Sequence, residues 1–272
     1  MRTKTLLVAA AALAVSVATS MAQTTYSQNV VGYINQTIPA NGYAIVGNTL
    51  INGSDAGQTN NDVNAVLGTG LVSQPNDPPN SFNNTVLYYY NGGYSTWYYF
   101  NAADAVTWGA LSPGPGFFDL GGNKLVASVG PGQAVFLFNH SGAPITNTIT
   151  GSVLQGTNTL PSIVTGYQLV GLPQPIVTNA VVAGYGLPAG LTSQPNDPPS
   201  AFNNDVMYLY NGGYSTWYYF NAADAATWGA LAAGPGFFDL GGNPAPQTAV
   251  NQGFFLLHHG STLGWTNVFT VQ

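Results

Sequence analysis

Val86-Leu-Tyr-Tyr-Tyr-Asn-Gly-Gly-Tyr-Ser-Thr-Trp-Tyr-Tyr-Phe100 returns almost letter for letter as Val206-Met-Tyr-Leu-Tyr-Asn-Gly-Gly-Tyr-Ser-Thr-Trp-Tyr-Tyr-Phe220. Asn91-Gly92, set between two runs of aromatic and β-branched residues, is a strong local signal for a β-hairpin. A hairpin that occurs twice makes this a β protein with an internal repeat.

The likeness spreads outward from the hairpin. Gly70 to Asn123 aligns with Gly190 to Asn243, and 45 of the 54 positions are identical. Beyond that block the copies diverge. Gly42-Tyr-Ala-Ile-Val-Gly47 matches Gly166-Tyr-Gln-Leu-Val-Gly171 in pattern only, and Gln133-Ala-Val-Phe-Leu-Phe138 answers Gln252-Gly-Phe-Phe-Leu-Leu257. Constraint on the middle block or gene conversion would each keep it alike.

Each unit reads as a series of short strands. Val30 to Ile38 comes first, with an expected counterpart in Thr148 to Leu154. Tyr43 to Val46 follows (Tyr167 to Val170 in the second unit), then a long loop, the hairpin, a segment ending Gly116-Phe-Phe-Asp-Leu120, and a late strand Ala134 to Phe138. Strands bounded by Gly, Pro and Asn at regular spacing point to an all-β fold of two tandem sandwich-like modules. The expected organisation is a signal peptide over 1–22, module one over 23–147 and module two over 148–272, with Ile145 to Thr150 a strand that continues across the junction. Asn101-Ala-Ala-Asp-Ala-Val106 is the one helix candidate; Asn101 is placed to N-cap it and Asp104 imitates a capping box.

Side chains alternate along a strand, so Leu87 and Tyr89 share one face of the hairpin while Val86, Tyr88 and Tyr90 share the other. Between copies the first face changes Leu87 to Met207, a swap that a packed core tolerates. Leu87 and Met207 are therefore expected inside. Tyr88, Tyr90, Tyr208 and Tyr210 are expected half-buried on the opposite face. Asn-Gly-Gly permits a two- or a three-residue loop, which leaves open the faces of Trp97 and Tyr98.

Gly42-Tyr-Ala-Ile-Val-Gly-Asn48, an aromatic Tyr-Tyr-Asn-Gly hairpin, and Pro131-Gly-Gln-Ala-Val-Phe136 together resemble the "GWNLIGNP … PGQGFFV" modules of secreted and surface proteins of Gram-negative bacteria. The second copy carries the pattern with Val250-Asn251 in place of Pro-Gly. The resemblance implies a compact β-sandwich-like module of an exported protein and implies no catalytic residues.

Composition narrows the chemistry. Arg2 and Lys4, an apolar run from Leu6 to Val17 and Ser20-Met-Ala22 read as a secretory signal peptide, so the protein is expected outside the cytoplasm: periplasmic, cell-surface or extracellular. Its apolar run is too short to span a membrane, and no later stretch approaches the required length. Removing it leaves Lys124 as the one basic side chain against nine Asp, with no Glu in the chain. Nucleic-acid binding needs clustered Lys and Arg, so that class is excluded. With no Cys, the chain must hold together by burial rather than by disulfides.

Few side chains suit catalysis. His140 aligns with His259 beyond the late strand and reads as a surface residue. His258 and His259 are adjacent and point to opposite faces of a strand, which is poor geometry for one metal. The repeated Asp104/Asp119 and Asp224/Asp239 are the leading carboxylate candidates. Asp119-Leu-Gly-Gly-Asn123 reads most simply as an Asx turn, and calcium is a weaker alternative. No catalytic residue, metal site or cofactor is expected.

The repeated aromatics Tyr88, Tyr90, Trp97, Trp108, Tyr208, Tyr210, Trp217 and Trp228 are the candidate ligand-binding set, as stacking platforms, against the simpler reading that they fill cores. The Pro-restricted loops Ser73–Pro79 and Ser193–Pro199 are either rim binding loops or stiff connectors. Export, scarcity of charge and duplicated aromatic hairpins lead to a non-catalytic surface or matrix protein acting in adhesion or self-assembly, its partner a second copy or a surface polysaccharide. A carbohydrate-binding module built on Trp97, Trp217 and neighbouring Tyr is the alternative.

Overall fold

In the computed structural model, which describes residues 31–52, 61–67, 70–75, 83–175, 186–195, 203–232 and 234–269, the hairpin forms in both copies. In chain order the elements are β1 (Val31–Ile38), β2 (Gly42–Gly47), β3 (Leu50–Ile51), α1 (Val63–Val66), β4 (Val86–Tyr90), β5 (Tyr94–Phe100), α2 (Ala102–Trp108), β6 (Gly116–Phe118), β7 (Ala134–Asn139) and β8 (Ile145–Val153). The second half follows with β9 (Gly156–Ile163), β10 (Gly166–Val170), β11 (Val206–Tyr210), β12 (Tyr214–Phe220), α3 (Ala222–Trp228), β13 (Gly236–Phe238), β14 (Phe254–His258) and β15 (Leu263–Phe269). The fold is all-β, and every strand pair is antiparallel.

The same five-stranded sheet is built twice, in the order β2-β7-β4-β5-β6 and then β10-β14-β11-β12-β13. Tyr90 pairs with Tyr94 and Leu87 with Trp97, so the turn is the three-residue Asn91-Gly92-Gly93. Gly92 and Gly212 take φ of +74°, the left-handed region that glycine enters without steric cost. This register puts Trp97 on the face of Leu87. Both Leu87 and Met207 are 0% exposed, each burial contributing about 1.5–3 kcal/mol.

One face of each five-stranded sheet packs on a smaller sheet. In the first half, Ala44, Val46, Leu87, Tyr99, Phe117 and Leu137 meet Ile38, Leu50 and Ile149 of the β1-β8-β3 sheet, with Val63, Val66 and Leu67 closing one end. In the second, Met207, Phe237, Phe254 and Leu256 meet Leu160, Ile163 and Trp265 of the β9-β15 ribbon. The opposite face is capped at its far end by α2, whose Trp108 stacks on Phe100 at 4.6 Å, and in the second copy by α3, whose Trp228 stacks on Phe220 at 5.5 Å. Asn101 caps α2 as expected, accepting from the Asp104 amide at 2.8 Å.

The expected counterpart of β1 is corrected. Thr148 to Leu154 overlaps β8, which pairs along its length with β1 and β3. The true counterpart is β9: it leads into β10 as β1 leads into β2, and it pairs with β15 as β1 pairs with β8. The expected junction at 147/148 thus falls inside β8. Residues 1–22, read above as a signal peptide, lie outside the described residues, as do 76–79 and 196–199 of the Pro-rich loops.

The two halves meet at an approximate twofold axis. Val46 bridges to Gln252, and its repeat mate Val170 bridges to Gln133, the mate of Gln252. The Gly47 amide donates to the Asn251 carbonyl at 2.7 Å, and the Gly171 amide to the Gly132 carbonyl at 3.0 Å. At the crossing point, a Cβ placed on Gly47 would lie 2.9 Å from Gly171 Cα, and one on Gly171 would lie 2.9 Å from Gly47 Cα and 2.5 Å from the Gln133 carbonyl oxygen. Only glycine fits there, because the obstructing atoms are backbone. Gly171→Ala is accordingly expected to destabilise the protein by about 1–3 kcal/mol in denaturant titrations. Gly213→Ala, a site with open space around it, should stay within about 0.5 kcal/mol of wild type.

Candidate functional site: two aromatic grooves

The Val86/Tyr88/Tyr90 face of the first hairpin and its copy turn toward each other across the axis. Between them lie Ile45, Ala134 and Phe255, with Tyr90, Phe136, Leu169, Tyr208 and Tyr210 packed around. Two open grooves flank this cluster. Groove one, of about 500 Å³, is lined by Tyr43, Tyr88, Tyr94, Thr96, Phe136, Tyr210 and Tyr214. Groove two, of about 350 Å³, is lined by Tyr90, Tyr94, Tyr167, Tyr208, Tyr214 and Phe255. Apart from Thr96, exchanging each residue for its repeat mate turns one lining into the other.

The ring geometry repeats just as closely. Tyr43 and Tyr88 lie 6.2 Å apart, Tyr167 and Tyr208 6.1 Å. Tyr90 meets Tyr94 at 5.2 Å and 69°, Tyr210 meets Tyr214 at 5.1 Å and 70°. Across the axis, Tyr90 stands edge-on to Phe255 at 6.0 Å and Tyr210 edge-on to Phe136 at 5.4 Å. These are the separations at which aromatic pairs attract beyond simple burial.

The tyrosine hydroxyls form a matching set of bonds. Tyr88 shares a hydrogen bond with Tyr43, Tyr208 with Tyr167, and Tyr94 with Tyr214 across the axis. Burial, first, and these neighbouring phenols push the Tyr88 and Tyr208 hydroxyls up to about 12, and Tyr94 rises for the same reasons. A charged phenolate is poorly solvated there, so the groove walls present neutral hydroxyls. Tyr94 and Tyr214 are each 52% exposed and Tyr167 is 50% exposed, leaving ring faces open to a ligand. Every lining side chain is Tyr, Phe or Thr, so the grooves carry aromatic faces and hydroxyls without charge.

Of the residues singled out by sequence, Tyr88 and Tyr210 line groove one, and Tyr90 and Tyr208 line groove two. The four tryptophans lie elsewhere. Trp97 and Trp217 pack against the two sandwich cores, and Trp108 and Trp228 cover the capped ends of the sheets. Tyr43, Tyr94, Phe136 and their mates Tyr167, Tyr214 and Phe255 were not singled out. Their occurrence at matched repeat positions, with Tyr94 opposite Tyr90 in the hairpin, was the available signal.

The carboxylates are spent locally. Asp104 Oδ2 accepts from Asn101 Nδ2 at 2.7 Å and Ser73 Oγ at 2.5 Å, fastening the loop to the start of α2, and Asp224 repeats this with Asn221 and Ser193. Asp119 forms the expected Asx turn, accepting from the Gly121 and Asn123 amides at 2.9 Å. The Asn123 side chain, aided by these amides, holds the Asp119 carboxyl below the usual range. Among the described residues no three His, Asp or Glu side chains gather as a metal site would require.

A buried pair of titratable side chains was also missed. His258 Nδ1 lies 2.7 Å from Asp205 Oδ2, and its Nε2 lies 2.8 Å from the Ser261 carbonyl oxygen, with both side chains 0% exposed. Both ring nitrogens face oxygen atoms, one of the Asp205 carboxyl and one of the Ser261 carbonyl. Asp205 is further satisfied by the Thr192 and His259 amides. Every polar atom of the pair is engaged in holding β14 to the start of β11, which makes it a structural tie. The first half uses neutral groups at these positions: Thr85 Oγ1 accepts from Val72, and Asn139 bonds to Ser141, Pro39 and Ala143.

Comparison with family models, curated proteins and solved structures finds no match to the chain. Function must therefore be argued from the grooves themselves.

The buried Asp205–His258 pair yields a direct test. Asp205→Thr or His258→Asn alone leaves a buried group without its partner and should cost about 3–5 kcal/mol in chemical denaturation. The double variant, which installs the first half's neutral pair, should recover most of that loss.

Proposed function

We propose that this is an exported, non-catalytic adhesion protein that binds neutral glycan chains through its two aromatic grooves. One observation carries the reading: matched, open grooves whose walls are tyrosine and phenylalanine rings with neutral hydroxyls and no charge. The C–H faces of sugar rings stack on aromatic faces, and phenolic hydroxyls bond to sugar hydroxyls; such mixed apolar and polar linings characterise ligand sites. An acidic polysaccharide would find no cation in the lining, and the chain's nine Asp disfavour it further.

Self-assembly is the second reading, and it is supported by β1. This strand pairs only with β8 among the described residues, and Val31 and Tyr33 are exposed on it; an edge strand without charged residues opposes edge-to-edge pairing poorly. Against it, the hairpin faces that would meet in an assembly already meet each other within one chain.

Affinity electrophoresis through gels containing neutral polysaccharides (β-glucans, mannan, xylan) separates the readings. The native protein should be retarded in at least one neutral gel and not in alginate. Tyr94→Ala combined with Tyr214→Ala should weaken retention roughly tenfold, a loss of about 1.4 kcal/mol, with Trp108→Ala as the unaffected control. Retention unchanged in the double variant contradicts the groove reading. No retention, together with concentration-dependent sedimentation, supports self-assembly instead.

A further inference from the structure

We infer that a single copy of the protein is a divalent cross-linker, each groove taking a separate glycan chain. The inference rests on the glycan reading above and adds valency to it. It follows from the approximate twofold axis. That axis passes between Gly47 and Gly171 and between Tyr94 and Tyr214, each of which meets its own repeat mate. The grooves lie on either side of the Tyr94–Tyr214 pair, which contributes to the wall of both.

One consequence follows from symmetry and chain chemistry. A glycan has a direction, from its non-reducing to its reducing end. Rotation by half a turn reverses any direction perpendicular to the axis. A single straight chain crossing both grooves would meet one of them in the reverse orientation, so it cannot repeat the same contacts. The hydrogen-bonded Tyr94–Tyr214 pair also stands between the grooves as a partition. Each groove has a volume in the range of independent ligand sites.

The sites are equivalent in plan but not identical. Groove one is larger and adds Thr96, whereas groove two is lined by the nearly buried Phe255 where groove one has the more open Phe136. Two affinities are therefore expected rather than one. A protein with two such sites converts weak single contacts into avidity when chains are dense, which suits a role in adhesion or matrix cohesion.

The test uses the intact protein and short fragments of whichever neutral polysaccharide retards it in gels. Calorimetric titration should give two fragments per chain. Thr96→Arg, an exposed position that lines groove one alone, and Tyr167→Ala, a half-exposed position that lines groove two alone, should each reduce the count to one. Each variant should also abolish the thickening or precipitation of the full-length polysaccharide that the native protein causes. One fragment per chain, lost in either variant, would mean a single continuous trough and overturns the divalent arrangement while leaving glycan binding intact. Absence of binding to every neutral fragment overturns the glycan reading and the cross-linking with it.

Discussion

The structure turns on two glycines that touch. Gly47 and Gly171 approach so closely at the approximate twofold axis that neither has room for a Cβ. The short distance lets the neighbouring amides cross to the opposite half and lets Val46 and Val170 each bridge to a strand of the other copy. It also brings the aromatic faces of the two five-stranded sheets into register, so that Tyr90 reaches Phe255 and Tyr210 reaches Phe136. A bulkier pair at the crossing would hold the halves apart, and both grooves would lose the wall that comes from the opposite repeat.

This arrangement gives a physical reason for the near-identity of the two hairpins. Each hairpin serves three surfaces at once: its Leu87 or Met207 face fills a sandwich core, its Tyr88 and Tyr90 positions build the shared aromatic cluster, and its far end is capped by a helix. A change in one copy is felt in the other across the axis. Contacts confined to one half leave room for the copies to differ. The Asp205–His258 pair and the Thr85–Asn139 pair solve the same local problem with different chemistry, because each lies inside its own half. Asn251 shows an intermediate case: it replaces Gly132 at positive φ, which Asn tolerates, and its side chain accepts from Thr49 across the junction at 2.8 Å.

What sequence could reveal divides along the reach of the interactions. The hairpin, the alternation that sends Leu87 inward, the Asn101 cap and the Asp119 turn are local, and each was legible from a few adjacent residues. The partner of β8 was not. Thr148 to Leu154 reads as a strand whichever sheet it joins, and only pairing with β1, over a hundred residues earlier, decides its place. The face of Trp97 awaited the loop length. Gly47 and Gly171 read as ordinary strand-end glycines, since nothing adjacent to either signals the other. For the same reason half of each groove was visible as an outward tyrosine face, while the opposite wall was invisible. His258 gave no hint of Asp205, 53 residues away, beyond the single change of Thr85 to Asp205 between the copies.

The central claim is that the halves form one cooperative body fused at the glycine crossing. Differential scanning calorimetry of the intact chain tests it most directly. The account predicts a single unfolding transition whose calorimetric and van't Hoff enthalpies agree. Two resolved transitions, each with the enthalpy of half the chain, would contradict it.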